Sequence, residues 1–255
     1  MRPGPGPIWR KKSSAILLAQ DGFETGGRAA FWTGDGKVAA RYDPTVPGVF
    51  LYQSTIKHSG TYAARSYVTT DEDQPCKFEL VDTQWANLMG ALCTEIYFEW
   101  WNYFPSPGYT FPVGSQKLMR VGHYDAGFLD RAKSTDLMIQ TTNTELTFVF
   151  YNQPYGGAQN REFAYRNYTP IVTNTWIKWG IYLKLNTPGQ SNGIYQCYKD
   201  DVLLLGATGL NLTDDANGLN YLWIGGNYTN QGVVTGNHSH YNDDIKIYNK
   251  KPPGL

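Results

Sequence analysis

Strict alternation of apolar and polar residues is the feature that most constrains this chain. The run Trp176-Ile177-Lys178-Trp179-Gly180-Ile181-Tyr182-Leu183-Lys184-Leu185-Asn186 repeats every second residue, a turn follows at Thr187 to Gly193, and Ile194 to Asp201 returns as a second strand. Successive side chains of a strand point to opposite faces, so Ile177, Trp179, Ile181, Leu183 and Leu185 share one face, and Trp176, Lys178, Tyr182, Lys184 and Asn186 the other. The stretch Cys93 to Phe104 splits the same way. Ile96, Phe98, Trp100 and Phe104 form an apolar face, and Glu95, Tyr97, Glu99, Trp101 and Tyr103 form one that is polar yet aromatic. Strands of this kind close one face on a core and leave the other for water or a ligand.

Further strands are expected at Ala15–Ala19, Val49–Gln53, Tyr62–Val68, Gln116–His123, Asp136–Thr141, Glu145–Tyr151 and the final Tyr241–Tyr248. Helical periodicity is nearly absent, and no internal repeat is visible. A chain of 255 residues with 27 Gly and many short strands is expected to be all-β, a two-sheet sandwich. Residues 1–14, with alternate prolines followed by a basic patch, predict an extended arm, and 15–255 a single domain. The apolar run Ala15 to Ala19 is too short for a secretory or membrane-spanning segment. Three widely spaced cysteines, Cys76, Cys93 and Cys197, predict free thiols.

Net charge is zero and only 17% of residues are charged, which argues against nucleic acid as a partner. Aromatic residues reach 15%. Sugars offer flat C–H faces ringed by hydroxyls, so a saccharide surface needs aromatic platforms beside hydrogen-bonding groups. The outward residues supply both: Tyr97, Glu99, Trp101, Tyr151, Lys178, Tyr182, Lys184, Tyr195 and Lys199, with Arg120 and Gln140 nearby. Glu95 and Glu99 lie roughly 13 Å apart on a regular strand, too far for the paired carboxylates of a glycosidase. Nucleophile elbows, phosphate loops and dinucleotide fingerprints are not found.

The order of these strands, together with Asp21-Gly22-Phe23-Glu24-Thr25-Gly26 near the start and Tyr241-Asn242-Asp243-Asp244-Ile245-Lys246 near the end, resembles the concanavalin-like jelly rolls of polysaccharide lyases, laminin-G-type modules and carbohydrate-binding domains. The resemblance implies a jelly-roll sandwich whose first and last strands lie side by side, with a structural calcium at Glu24, Asp243 and Asp244 and no other cofactor required. For alginate lyases of this fold it also implies a Tyr-Phe-Lys-Ala-Gly-type strand and a Gln-Ile-His triplet. Gly180-Ile181-Tyr182-Leu183-Lys184 and Leu137-Met138-Ile139-Gln140 fall in similar places, though no His follows Gln140. The first expectation is a glycan-binding module, for a polysaccharide or cell-surface glycan. Without a leader segment it is expected to belong to a larger assembly, such as a phage virion, as a decoration or adhesion subunit tethered by its arm. The alternatives are a lyase cleaving a uronic-acid polymer by β-elimination, with Tyr195 or His123 as base and Arg120 and Gln140 neutralising the carboxylate, and a purely structural subunit.

Overall fold

The computed structural model describes residues 14–32, 49–67, 76–90, 93–107, 116–122, 134–142, 145–153, 162–170, 172–210, 212, 218–228 and 239–255. For 49–50, 67, 76–77, 81–82, 116–117, 134–142, 145–153, 162–170 and 226–228 only the backbone is described. Of the predicted arm, only Ser14 falls within these residues.

Strands β1 (Leu17–Asp21), β2 (Val49–Gln53), β3 (Ala63–Tyr67) and β4 (Cys76–Val81) precede the single helix among the described residues, α1 (Asp82–Met89). Then follow β5 (Glu95–Tyr103), β6 (Gln116–Gly122), β7 (Ser134–Thr142), β8 (Glu145–Gln153), β9 (Glu162–Pro170), β10 (Trp176–Lys184), β11 (Gly193–Lys199), β12 (Val202–Leu210), β13 (Tyr221–Tyr228) and β14 (His240–Tyr248). They form two antiparallel sheets. The first runs β12-β11-β10-β5-β14-β3-β2, with β1 also paired to β14, and the second runs β4-β13-β6-β7-β8-β9. This is the two-sheet jelly roll, with first and last strands adjacent as expected.

The core lies between the sheets. Ile96, Phe98, Trp100, Trp179, Ile181, Leu183 and Ile247 come from the first sheet, and Phe78, Leu80, Met119, Val121, Leu222 and Ile224 from the second. Burying each such side chain stabilises the fold by about 1.5–3 kcal/mol relative to exposure. Trp85 of α1 is buried in the same core, and Gly90, at φ 83°, closes the helix by donating its N–H to the Ala86 carbonyl. Among the described residues no helix is long and apolar enough to cross a membrane. Cys93 and Cys197 are free and buried; burial pushes the Cys93 thiol up to about 11 and also raises Cys197 well above its usual value. Both are therefore unreactive at neutral pH.

Two details depart from the expected strands. Asp200 and Asp201 do not continue β11. Both adopt positive φ and form a two-residue turn into β12, with the Asp200 N–H donated to the Lys178 carbonyl. Asn186 is buried rather than outward, because it lies past the end of β10, where its side-chain oxygen accepts the Leu212 N–H.

Candidate functional site

The parity read from β5 and β10 holds, and the outer face of the first sheet carries the predicted aromatic and charged set. It is not an open groove. Tyr97 is fully buried and donates its hydroxyl to Glu99 Oε2 at 3.1 Å. Lys178 Nζ lies 3.1 Å from the same oxygen and 2.9 Å from Asp201 Oδ1, and Lys246 Nζ reaches Glu99 Oε1 at 3.8 Å. Tyr182 donates to Glu95 Oε1 at 2.9 Å. The segment after β14 then folds over these rings. Lys251 Nζ donates to Gln196 Oε1 at 3.0 Å and the Tyr198 hydroxyl at 2.9 Å, while Tyr248, Ile194 and Leu255 pack on Tyr97, Tyr182 and Tyr198.

Burial, reinforced by the carboxylates beside them, drives the Tyr97 and Tyr182 hydroxyls well above the usual phenol range. They are fixed donors. Burial pulls Lys178 down, but its bonds to Asp201 and Glu99 outweigh this and leave it raised and charged. Gly180 exists to admit Tyr97, since a Cβ there would collide with the Tyr97 hydroxyl. This part of the face, around Tyr97, Tyr182 and Tyr198, is a satisfied second core, consistent with large sandwiches packing Tyr freely.

Other predicted residues scatter. Tyr195 pairs with Leu183 and points into the main core, fully buried, so it cannot serve as a base facing substrate. The cause is legible in β11: Ile194, apolar but partly exposed, takes the outward position, and Tyr195 takes the inward one. Lys199 pairs with Trp179 and so leaves the outer face at the strand end. Lys184 is exposed. Trp101 is outward, but His58 stacks on it at 3.7 Å. His123 lies outside the described residues. Gln140 and Tyr151 belong to β7 and β8 of the second sheet, with side chains outside those described.

The expected calcium set meets the structure at the bulge where β14, paired along one edge with β3 up to Asn242, changes partner to β1 from Ile245 onward. Asp243 is fully buried and its carboxylate caps backbone, accepting the N–H groups of His58 at 2.9 Å, Ser59 at 3.3 Å and Asp244 at 2.8 Å. Asp244, at φ 47°, takes His58 Nδ1 at 2.7 Å and the Ser59 hydroxyl at 3.0 Å. Glu24 accepts the Thr61 N–H at 2.6 Å and, with Asp244, lines a cavity of 470 Å³. Each of the three carboxylates accepts at least one N–H or O–H donor. Among the described residues no group of three or more His, Cys, Asp and Glu is arranged to hold a metal. The acids tie the turn from His58 to Thr61 to the sheet.

The second sheet supplies what the first does not. In β4, β13 and β6 the alternation sends Phe78, Leu80, Leu222, Ile224, Met119 and Val121 inward, so Glu79, Tyr221, Trp223 and Arg120 fall on the outer face. Register places Glu79, Trp223 and Arg120 directly opposite one another across three adjacent strands, within side-chain reach at about 5 Å between neighbouring Cβ atoms. Tyr221 lies two residues from Trp223 and donates its hydroxyl to Glu79 Oε1 at 2.7 Å. Glu79, Tyr221 and Trp223 are buried, and Arg120 is the partly exposed member. Of these only Arg120 was singled out from sequence. A signal for the rest existed: the Tyr-apolar-X-apolar-Gly order sought at Gly180–Lys184 occurs at Tyr221-Leu222-Trp223-Ile224-Gly225.

The jelly roll is that of a polysaccharide lyase-like, carbohydrate-active domain. The chain belongs to the polysaccharide lyase family, whose pattern matches residues 23–246. Solved structures similar to it include an alginate lyase from Aplysia kurodai at 14% identity and TM-score 0.57, covering 80% of this chain and 87% of that one. An endo-β-1,4-glucuronan lyase from the fungus Trichoderma reesei matches at 14% identity and TM-score 0.58, covering 91% and 95%. Alginate lyase vAL-1 from Chlorella virus matches at 12% identity and TM-score 0.52, covering 75% and 86%. At these identities the likeness is one of fold. No curated protein sequence matches the chain. These matches favour the lyase alternative over the binding-module reading, and virion, decoration and adhesion roles find no support among them.

Proposed function

We propose that the protein is a polysaccharide lyase that cleaves a uronic-acid-containing polymer by β-elimination on the outer face of its second sheet. The observation that carries this is the Arg120–Trp223–Glu79 row with Tyr221 hydrogen-bonded to Glu79. β-Elimination removes the proton beside the uronate carboxylate, forms a carbon–carbon double bond, and expels the glycosidic oxygen, which takes up a proton. No water or redox partner is consumed. The carboxylate must be neutralised for its neighbouring proton to leave, and Arg120, a partly exposed guanidinium on this face, is the cation assigned to that.

A phenol is a weak base alone, but Tyr221 is bound to an acceptor. As its oxygen takes the sugar proton it can pass its own to Glu79, and the reverse transfer supplies the proton to the leaving oxygen. Trp223, between Glu79 and Arg120 in the row, packs the two charged groups at fixed separation.

The test is incubation with alginate and polyglucuronate, followed by ultraviolet absorbance of the unsaturated ends. Parent protein and Tyr195→Phe should generate absorbance, and Arg120→Ala and Tyr221→Phe should not. Retention of the polymer with no absorbance from the parent would return the protein to the binding-module reading.

A further inference from the structure

We infer that the outer face of the first sheet carries a second, non-catalytic site for an acidic polysaccharide chain, along the cross-strand row Trp176, Tyr103, Tyr241 and Arg65. That the polymer is acidic rests on the lyase reading above; the site itself rests on its own geometry. Trp176 of β10 lies opposite Tyr103 of β5, which lies opposite Tyr241 of β14, which lies opposite Arg65 of β3. The side chains meet in series. Trp176 and Tyr103 have ring centroids 5.3 Å apart, Tyr103 and Tyr241 6.0 Å, and the Arg65 guanidinium sits 5.9 Å from the Tyr241 centroid. Three strand spacings make the row about 14 Å long, the footprint of an oligosaccharide rather than one sugar.

None of the four belongs to the main core or to the Tyr97 cluster. Trp176, Tyr103 and Arg65 are partly exposed, with Tyr241 buried among them. The Tyr97 cluster on the same face is closed by Lys251 and Leu255, so the face is finished as a core at one end and left with accessible rings at the other. The platform is held rigid. The Tyr103 hydroxyl donates to Asn174 Oδ1 at 3.1 Å, and Asn174 also accepts the Ser106 N–H at 2.8 Å and donates to the Ser106 carbonyl at 2.7 Å. Arg65 is steadied by a 3.2 Å bond to Ser239 Oγ.

Aromatic faces accept the C–H faces of sugar rings, and a guanidinium at one end accepts a carboxylate. The stripe is one residue wide. Alongside it Trp101 is already covered by His58, and Lys178 is engaged by Glu99 and Asp201. A protein partner would require roughly 800 Å² on each side, whereas a linear polymer needs only the stripe. A chain held there lies on the opposite sheet from Arg120 and Tyr221, so it tethers the protein to polymer while another segment is cut.

The test is electrophoresis of the full chain through gels containing alginate, polyglucuronate or a neutral β-glucan, with Arg120→Ala as background so that the polymer is not consumed. Retention in the uronate gels, reduced about tenfold in affinity by Trp176→Ala and by Arg65→Glu and unaltered by Arg65→Lys, is the expected result. In the otherwise unaltered protein the same two changes should raise KM on polymer and leave turnover of short oligouronides unchanged. Near-ultraviolet circular dichroism checks folding, and if Trp176→Ala fails to fold, Arg65→Glu carries the test. Equal retention with and without the row substitutions, or no retention by any uronate gel, overturns the site. Formation of unsaturated ends with unmoved retention defeats this site alone. Retention that depends on the row without any unsaturated ends defeats the lyase reading alone.

Discussion

The outer faces of the two sheets are built from similar residues and finished differently. On the first sheet Tyr97, Tyr182, Glu99 and Lys178 each have a partner inside the protein, and residues after β14 close over the rings. On the second, Arg120 remains partly exposed at the end of a row whose other members are buried and whose tyrosine is bound to a carboxylate. Aromatic-polar alternation marks a strand with two occupied faces. It does not say whether the occupant is the protein's own tail or a substrate.

The contrast breaks most readily at the second sheet. Arg120→Ala and Tyr221→Phe should each lower turnover of a uronate polymer by about 10²–10⁴-fold, with circular dichroism unchanged, whereas Lys178→Met on the first sheet should leave turnover per folded molecule unaltered. A loss with Lys178→Met equal to that with Arg120→Ala would reverse the assignment of faces. The first sheet should instead answer in stability. Tyr97→Ala is expected to lower the unfolding free energy by about 3–5 kcal/mol, measured by urea denaturation, with activity retained below the transition. Gly180→Ala, which forces Tyr97 aside, should cost about 1–3 kcal/mol.

A smaller effect is expected at the β14 bulge. Burial first, and the Asp244 carboxylate second, push Asp243 up to about 6, although the N–H groups of His58, Ser59 and Asp244 oppose this. A carboxyl raised in the folded state binds its proton more tightly there than in the unfolded chain. Its contribution is therefore full below the ordinary value near 3.8 and is lost as pH rises through about 6. Relative to Asp243→Asn, the parent should gain about 1–3 kcal/mol between pH 7 and pH 4, read from urea midpoints at the two pH values. A pH-independent difference would place the proton elsewhere. The least change is expected from Lys251→Met, which removes the bonds to Gln196 and Tyr198, at about 0.5–1.5 kcal/mol.

Much of the fold was legible because β5 and β10 are apolar on one side and polar on the other. The site was less so, for the opposite reason. In β13, Tyr221 and Trp223 are buried on the outer face while Leu222 and Ile224 are buried on the inner, so the strand reads as one apolar run ending in two glycines, without alternation. β4 does alternate, as Lys77-Phe78-Glu79-Leu80, but is short and follows the acidic run Asp71-Glu72-Asp73. Tyr195 was misplaced because a tyrosine suits either face. The roles of Asp243 and Asp244 depend on a turn 185 residues away in sequence, a pairing that local pattern does not contain.

The most direct measurement is the crystal structure of Tyr221→Phe with a uronate tetrasaccharide. The account predicts sugar on the outer face of the second sheet with a carboxylate against Arg120, whatever else is bound along Trp176 and Tyr103. A tetrasaccharide bound only across the first sheet, with Arg120 untouched, would contradict it.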